Sequence, residues 1–169
     1  MSHVDRGRPL ELGADRAGDR TQRVAWCAVS AGSRLPGAPE PQHRWEGHGG
    51  TWLAGDSFGP ANGQPVLLLH GAGQTRHAWK TTGTDLAGYG YHVVALDARG
   101  HGDSDWAADK DYSSLTMIHD VVRVADAVFD RPPVLVGASM GGLSSLMAIG
   151  QGHIEAAGLV LVDIAHRMS

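Results

Sequence analysis

The residue best placed to do chemistry is Ser139, inside Gly137-Ala138-Ser139-Met140-Gly141. The pattern is G-x-S-x-G, and it directly follows the apolar run Pro133-Val134-Leu135-Val136 and precedes a helix-like segment. In that setting a serine sits on a strand-to-helix turn so tight that its backbone is strained and its Oγ projects above the sheet. Gly137 and Gly141 remove side chains that would clash there. The chemistry on offer is nucleophilic attack, with the Met140 backbone N–H pointing from the helix start toward a developing oxyanion. Two other glycine-rich readings fail on residue identity. A phosphate loop needs Lys after its second spaced glycine, and Gly142 is followed by Leu143. A dinucleotide fingerprint needs Gly where Ser139 stands.

Two further loops could contribute. His70-Gly71-Ala72-Gly73 ends the apolar run Val66-Leu67-Leu68-Leu69. Its small residues let the chain turn so that a backbone N–H, best that of Ala72, faces Ser139 as a second oxyanion donor. His70 itself is expected to bond loop carbonyls rather than act as a base. The other loop is Asp97-Ala98-Arg99-Gly100-His101-Gly102-Asp103-Ser104-Asp105. It could hold a catalytic carboxylate pair. The favoured expectation is a turn in which Asp and Ser cap backbone amides and Gly supplies positive φ. Trp106, just beyond, is a candidate pocket wall.

The elements that must position these loops follow from the hydrophobic pattern. Four continuous apolar runs, at 66–69, 92–96, 133–136 and 159–162, read as strands buried on both faces. Helix-period segments lie between them at 79–86, 115–129 and 140–149, the second with Ser113 or Ser114 available as its cap. Ahead of them, 43–46 and 51–58 read as strands around a hairpin turn at His48-Gly49-Gly50. Strand–helix–strand alternation predicts an α/β fold, a mostly parallel sheet joined by right-handed crossovers. Functional groups then collect beyond the carboxyl ends of the strands.

Composition bounds the rest. The 169 residues suit one domain. A single cysteine, Cys27, excludes an internal disulfide framework and a cysteine-rich zinc site. The net charge of −4 argues against a generic nucleic-acid binder. No apolar run is long enough to span a membrane, and the first 25 residues lack a signal-peptide core. The expectation is a soluble, cytoplasmic protein. Residues 1–42 hold six of the twelve arginines and four of the eight prolines, and are expected to form a disordered extension. Residues 43–169 then form the folded domain.

His70-Gly71, Asp97-x-Arg99-Gly100-His101-Gly102-x-Ser104 and Gly137-x-Ser139-x-Gly141 stand in an order and spacing that resembles the α/β-hydrolase superfamily. The Ser-Met-Gly-Gly elbow is similar to its esterase and cofactor-free haloperoxidase-like members. The likeness covers residues 44–163. It implies that Ser139 is the nucleophile and that Ala72 and Met140 are the oxyanion-hole residues. It implies ester or related acyl substrates of small size, and neither a metal nor an organic cofactor. A serine rather than an aspartate nucleophile speaks against the haloalkane dehalogenase and epoxide hydrolase branches.

In this family an acid and then a histidine follow the nucleophile along the chain. After Ser139 the acids are Glu155 and Asp163, and the imidazoles are His153 and His166. His153 would stand roughly 20 Å from Ser139 if the helix between them is continuous. Asp163 ends the last strand on the functional edge, but His166 would need a sharp return to reach Ser139. No triad acid or base is assigned. The expectation is therefore an incomplete hydrolase domain, truncated after the strand that ends near Asp163. Leu159-Val160-Leu161-Val162 should then leave an edge open to self-association or to a partner chain.

Overall fold

Strands whose residues are all apolar can settle only where both faces are covered, and the centre of the fold is built from two of them. The computed structural model describes residues 39–164; most of the expected extension, Cys27 and His166 lie outside the described residues. In chain order the strands are β1 (His43–Glu46), β2 (Trp52–Phe58), β3 (Pro65–Leu69), β4 (His92–Leu96), β5 (Val134–Ala138) and β6 (Gly158–Val162). The helices are α1 (Lys80–Gly88), α2 (Ser114–Val128) and α3 (Met140–Gly150). They form one six-stranded sheet in the order β1-β2-β4-β3-β5-β6. Strands β4, β3, β5 and β6 run parallel, and β1 and β2 add antiparallel at one side.

Alternation along the central strands divides the core into two layers. Leu67 and Leu69 of β3 and Val94 and Leu96 of β4 face α2, where they meet Val121 and Val124. Val66 and Leu68, with Val93 and Ala95, point the other way, toward Phe58, Trp79 and Leu86. Helix α2 starts at Ser113, whose hydroxyl accepts the Thr116 N–H, which decides between the two candidate caps. The expected hairpin turn is a short 3₁₀ turn at His48–Gly50, and a second one, Arg76–Trp79, leads into α1.

Just ahead of β1, the Gln42 amide donates to Asp56 and its side-chain oxygen accepts from Ser57, both in β2. The apolar run at 159–162 forms β6 at the edge of the sheet, and Val160, Leu161 and Val162 remain exposed. No helix among the described residues is long and apolar enough to cross a membrane.

Leu67 has no exposed surface and packs between β4, β5 and α2. Leu67→Ala should lower unfolding free energy by about 2–5 kcal/mol, measured by urea denaturation.

Candidate functional site

The parallel strands deliver three loops to their shared carboxyl edge, after β3, β4 and β5. At the end of β5 the chain passes into α3 through one residue, Ser139, held at φ 43°, ψ −108°. For a residue with a Cβ this is a strained conformation, at about 1–3 kcal/mol. The turn closes because its neighbours are glycines. A Cβ on Gly137 would strike the backbone of Gly141 and Gly142, and one on Gly141 would strike the Leu69 carbonyl of β3. Ser139 N–H donates to the Val162 carbonyl at 3.0 Å, which ties the turn to β6. The serine is exposed, and no hydrogen bond among the described residues engages its hydroxyl.

Met140 is the first residue of α3, ahead of the helix's first turn bond, Leu143 N–H to Ser139 carbonyl at 2.9 Å. Its N–H is thus one of the unpaired donors at the positive end of a helix dipole. The loop after β3 lies against the same serine: a Cβ on Gly71 would stand 3.5 Å from the Ser139 Cβ. The Gly71 N–H is already donated to Gln74 Oε1 at 3.0 Å. Among the described residues no hydrogen bond involves the Ala72 N–H.

His70 is buried beneath this loop. Its Nδ1 lies 2.8 Å from the Gly71 carbonyl, and its Nε2 lies 3.0 Å from the Ala98 N–H. An amide N–H can only donate, so Nε2 accepts and the proton sits on Nδ1. Burial pushes its pKa below the ordinary histidine value, outweighing the Gly71 carbonyl and the Asp97 charge. His70 therefore ties two loops together as a neutral ring.

The loop after β4 is a scaffold built on buried charge. Arg76 is 1% exposed; its Nε donates to Asp56 at 2.8 Å and its Nη1 to Asp97 and Asp103 at 2.6 and 2.7 Å. Burial opposes its charge, but hydrogen bonds to Asp103, Asp97 and Asp56 hold its pKa above the ordinary value. Asp97 also accepts the Arg76 and Asp103 N–H groups. Arg99 makes a two-pronged pair with Asp120 of α2 at 2.6 and 2.8 Å. Ser104 Oγ accepts the Ala54 N–H and donates to the Asp97 carbonyl, while Gly100 and Gly102 adopt positive φ. These carboxylates cap amides and pair with arginines, as a turn-forming loop requires. Residue identity alone does not expose the convergence on Arg76. The available signal was an arginine close behind a glycine-rich strand end, with uncompensated aspartates in a neighbouring loop.

The remaining candidates fall into two groups. His153 and Glu155 line a cavity of about 330 Å³ together with Pro132 and Pro133, which precede β5, so both lie at the opposite end of the sheet from Ser139. Asp163 follows β6 directly, next to the carbonyl that receives the Ser139 N–H. Trp106 is exposed and is absent from the walls of a cavity of about 30 Å³ that His70, Met117 and Met140 help to line. No group of three or more His, Cys, Asp or Glu among the described residues is arranged to hold a metal ion.

A family model for the alpha/beta hydrolase fold matches residues 64–169. The chain belongs to the α/β-hydrolase fold family. It is 38% identical over 105 residues to the putative carbamate hydrolase RutD of Variovorax paradoxus, which covers 62% of this chain and 40% of the relative. It is 34% identical over 109 residues to protein phosphatase methylesterase 1 of Bos taurus, covering 62% of this chain and 29% of that one. The chain thus spans well under half the length of either. The crystal structure of the epoxide hydrolase VrEH1 from Vigna radiata superposes with a TM-score of 0.68 at 22% identity, over 74% of this chain and 40% of that one. At that identity the likeness speaks for the fold alone.

Two outcomes test this electrostatic frame. Asp120→Ala would strand a buried Arg99 and should lower stability by about 3–5 kcal/mol in urea denaturation. Stability should also decline as pH falls below 6.5, the ordinary value at which His70 and His92 protonate once unfolded, because both resist protonation when folded. Urea titrations at about pH 7.5 and 5.5 measure the decline, and His70→Gln should reduce it.

Proposed function

We propose that the chain carries the nucleophilic half of a serine hydrolase acting on esters or related small acyl compounds. The carrying observation is Ser139 itself, an exposed hydroxyl on a strained turn at the carboxyl edge, between a helix N-terminus and the loop after β3. In this reading Ser139 Oγ attacks the acyl carbonyl while the Ala72 and Met140 N–H groups receive the oxygen that becomes negative. As the Oγ–C bond forms, the hydroxyl proton passes to a general base, which returns it to the departing alcohol or amine as the adduct collapses to an acyl-enzyme that water then cleaves. The relatives named as a carbamate hydrolase and a methylesterase favour acyl chemistry of this kind. The reaction calls for no metal, organic cofactor, nucleic acid or membrane. A chain with one cysteine has no internal disulfide to lose in the reducing cytoplasm, which is the location we assign.

A second form of this reading has its own observation. Ser139 Oγ has no imidazole hydrogen-bonded to it among the described residues, and a serine without a general base is a weak nucleophile. The acid and base would then come from a further polypeptide segment or a partner. The apolar edge of β6, which invites strand pairing with a second copy or another chain, supports such an arrangement.

Hydrolysis of p-nitrophenyl acetate should fall to the buffer rate in Ser139→Ala. A rate unchanged by that substitution would sink the nucleophile assignment. A fluorophosphonate probe separates the two forms: rapid stoichiometric labelling of Ser139 at neutral pH indicates a complete site, and slow labelling indicates a missing base.

A further inference from the structure

The loop that flanks Ser139 depends on a ring that can carry a proton. His70 sits at the junction of the loops after β3 and β4, 1% exposed, with both nitrogens committed. One bond reaches the carbonyl of Gly71, where a Cβ would stand 3.5 Å from the Ser139 Cβ and whose next residue is Ala72. The other bond crosses to Ala98, the residue after Asp97, and Asp97 is fixed in turn by Arg76. The groups around the ring come from every side. Asp97 and the His101 ring, 5.1 Å between centroids, belong to the loop after β4; Asp120 of α2 and Met140 of α3 share with His70 the walls of the small cavity below. Asp120 is itself paired with Arg99.

A proton added at Nε2 would point at the Ala98 N–H, and two donors cannot share a hydrogen bond. The ring would have to leave its place, and the bond to Ala98 would be lost. The loop after β3 would then keep only its internal Gly71–Gln74 bonds and its attachment through Arg76 further along.

We propose that His70 is a positioning residue whose neutral ring holds the Gly71-Ala72 backbone beside Ser139, so that protonation of the ring releases this loop and slows reaction at Ser139. The proposal rests on the reading of Ser139 as nucleophile and Ala72 as oxyanion donor. It gives the protein a loss of activity in acid that originates in the oxyanion loop and not in a catalytic base. The lowered pKa of the buried ring places that loss below the range of an exposed histidine.

The test follows the rate of Ser139 labelling by an uncharged fluorophosphonate between about pH 5 and 8, in the full chain and in His70→Gln. Glutamine offers Ala98 an acceptor that does not titrate. The wild-type rate should fall about tenfold per pH unit below its midpoint, and the variant should lack that component whatever its rate at the alkaline end. An acid limb identical in both proteins overturns the proposal. Nitrogen-15 spectra of the wild-type imidazole give a readout independent of labelling and of any variant. They should show the Nδ1–H form at neutral pH and an Ala98 amide shift with the same midpoint. An Nε2–H form overturns the proposal even if His70→Gln fails to fold. If Ser139 labels at no pH in either protein, the nucleophile reading falls and the kinetic part of this proposal falls with it. The imidazole spectra still decide the tether.

Discussion

Between β5 and α3 the chain reverses from strand to helix through a single residue, and the steric terms of that reversal govern everything near it. The helix must start so close to β3 and β5 that Gly137 and Gly141 have no room for a Cβ, one against the first turn of α3 and the other against the Leu69 carbonyl. The cost falls on Ser139, which takes the strained φ, and the strain of about 1–3 kcal/mol must be offset by the packing around it. The Val162 carbonyl of β6 and the two-layer core on β3 provide that support. Strain at one residue persists because its neighbours leave no other path.

A second constraint acts on the loops. Backbone that crosses the carboxyl edge lacks ladder partners, and its polar groups need bonds from elsewhere. Asp97, Ser104 and His70 supply them, and the arginines fix the carboxylates that would otherwise be buried without partners. A buried arginine is costly to desolvate, and its pairs give order more than net stability. Here that order joins the loops after β3 and β4 through Arg76 and Asp97. Stability resides in the apolar layers, and geometry resides in the charged ones.

How much of this was legible in the sequence depended on whether the signal was local. The runs at 66–69 and 92–96 announced central strands because continuous apolar character leaves no face for water, and β3 and β4 are indeed buried. The same pattern at 159–162 produced an exposed edge strand, since an apolar run states what a strand prefers and not what lies beside it. The elbow was legible because its glycines and serine are adjacent in sequence. The neutral tether of His70 was partly legible, as a histidine at a strand end with loop carbonyls in reach. The Arg76 centre was not, because its partners lie 20 to 27 residues away and come from β2 and the loop after β4. Arg99 meets Asp120 across 21 residues on a helix whose apolar period drew attention to its other face.

The charge balance at the carboxyl edge bears on how an oxyanion could be held there. Around Arg76 the carboxylates of Asp56, Asp97 and Asp103 meet one guanidinium, and Arg99 is matched by Asp120, so both buried guanidinium groups are already engaged by carboxylates. Guanidinium groups so engaged do not by themselves favour a further anion above them. Stabilisation must therefore come from dipoles aimed at short range, whose effect depends on direction and falls away quickly with misplacement. In the proposed reading, the Met140 N–H at the helix start and the Ala72 N–H of the loop would supply such dipoles. The helix start is held by steric exclusion around glycines, which no change of pH reaches. The loop is held through an imidazole and by carboxylates on a guanidinium.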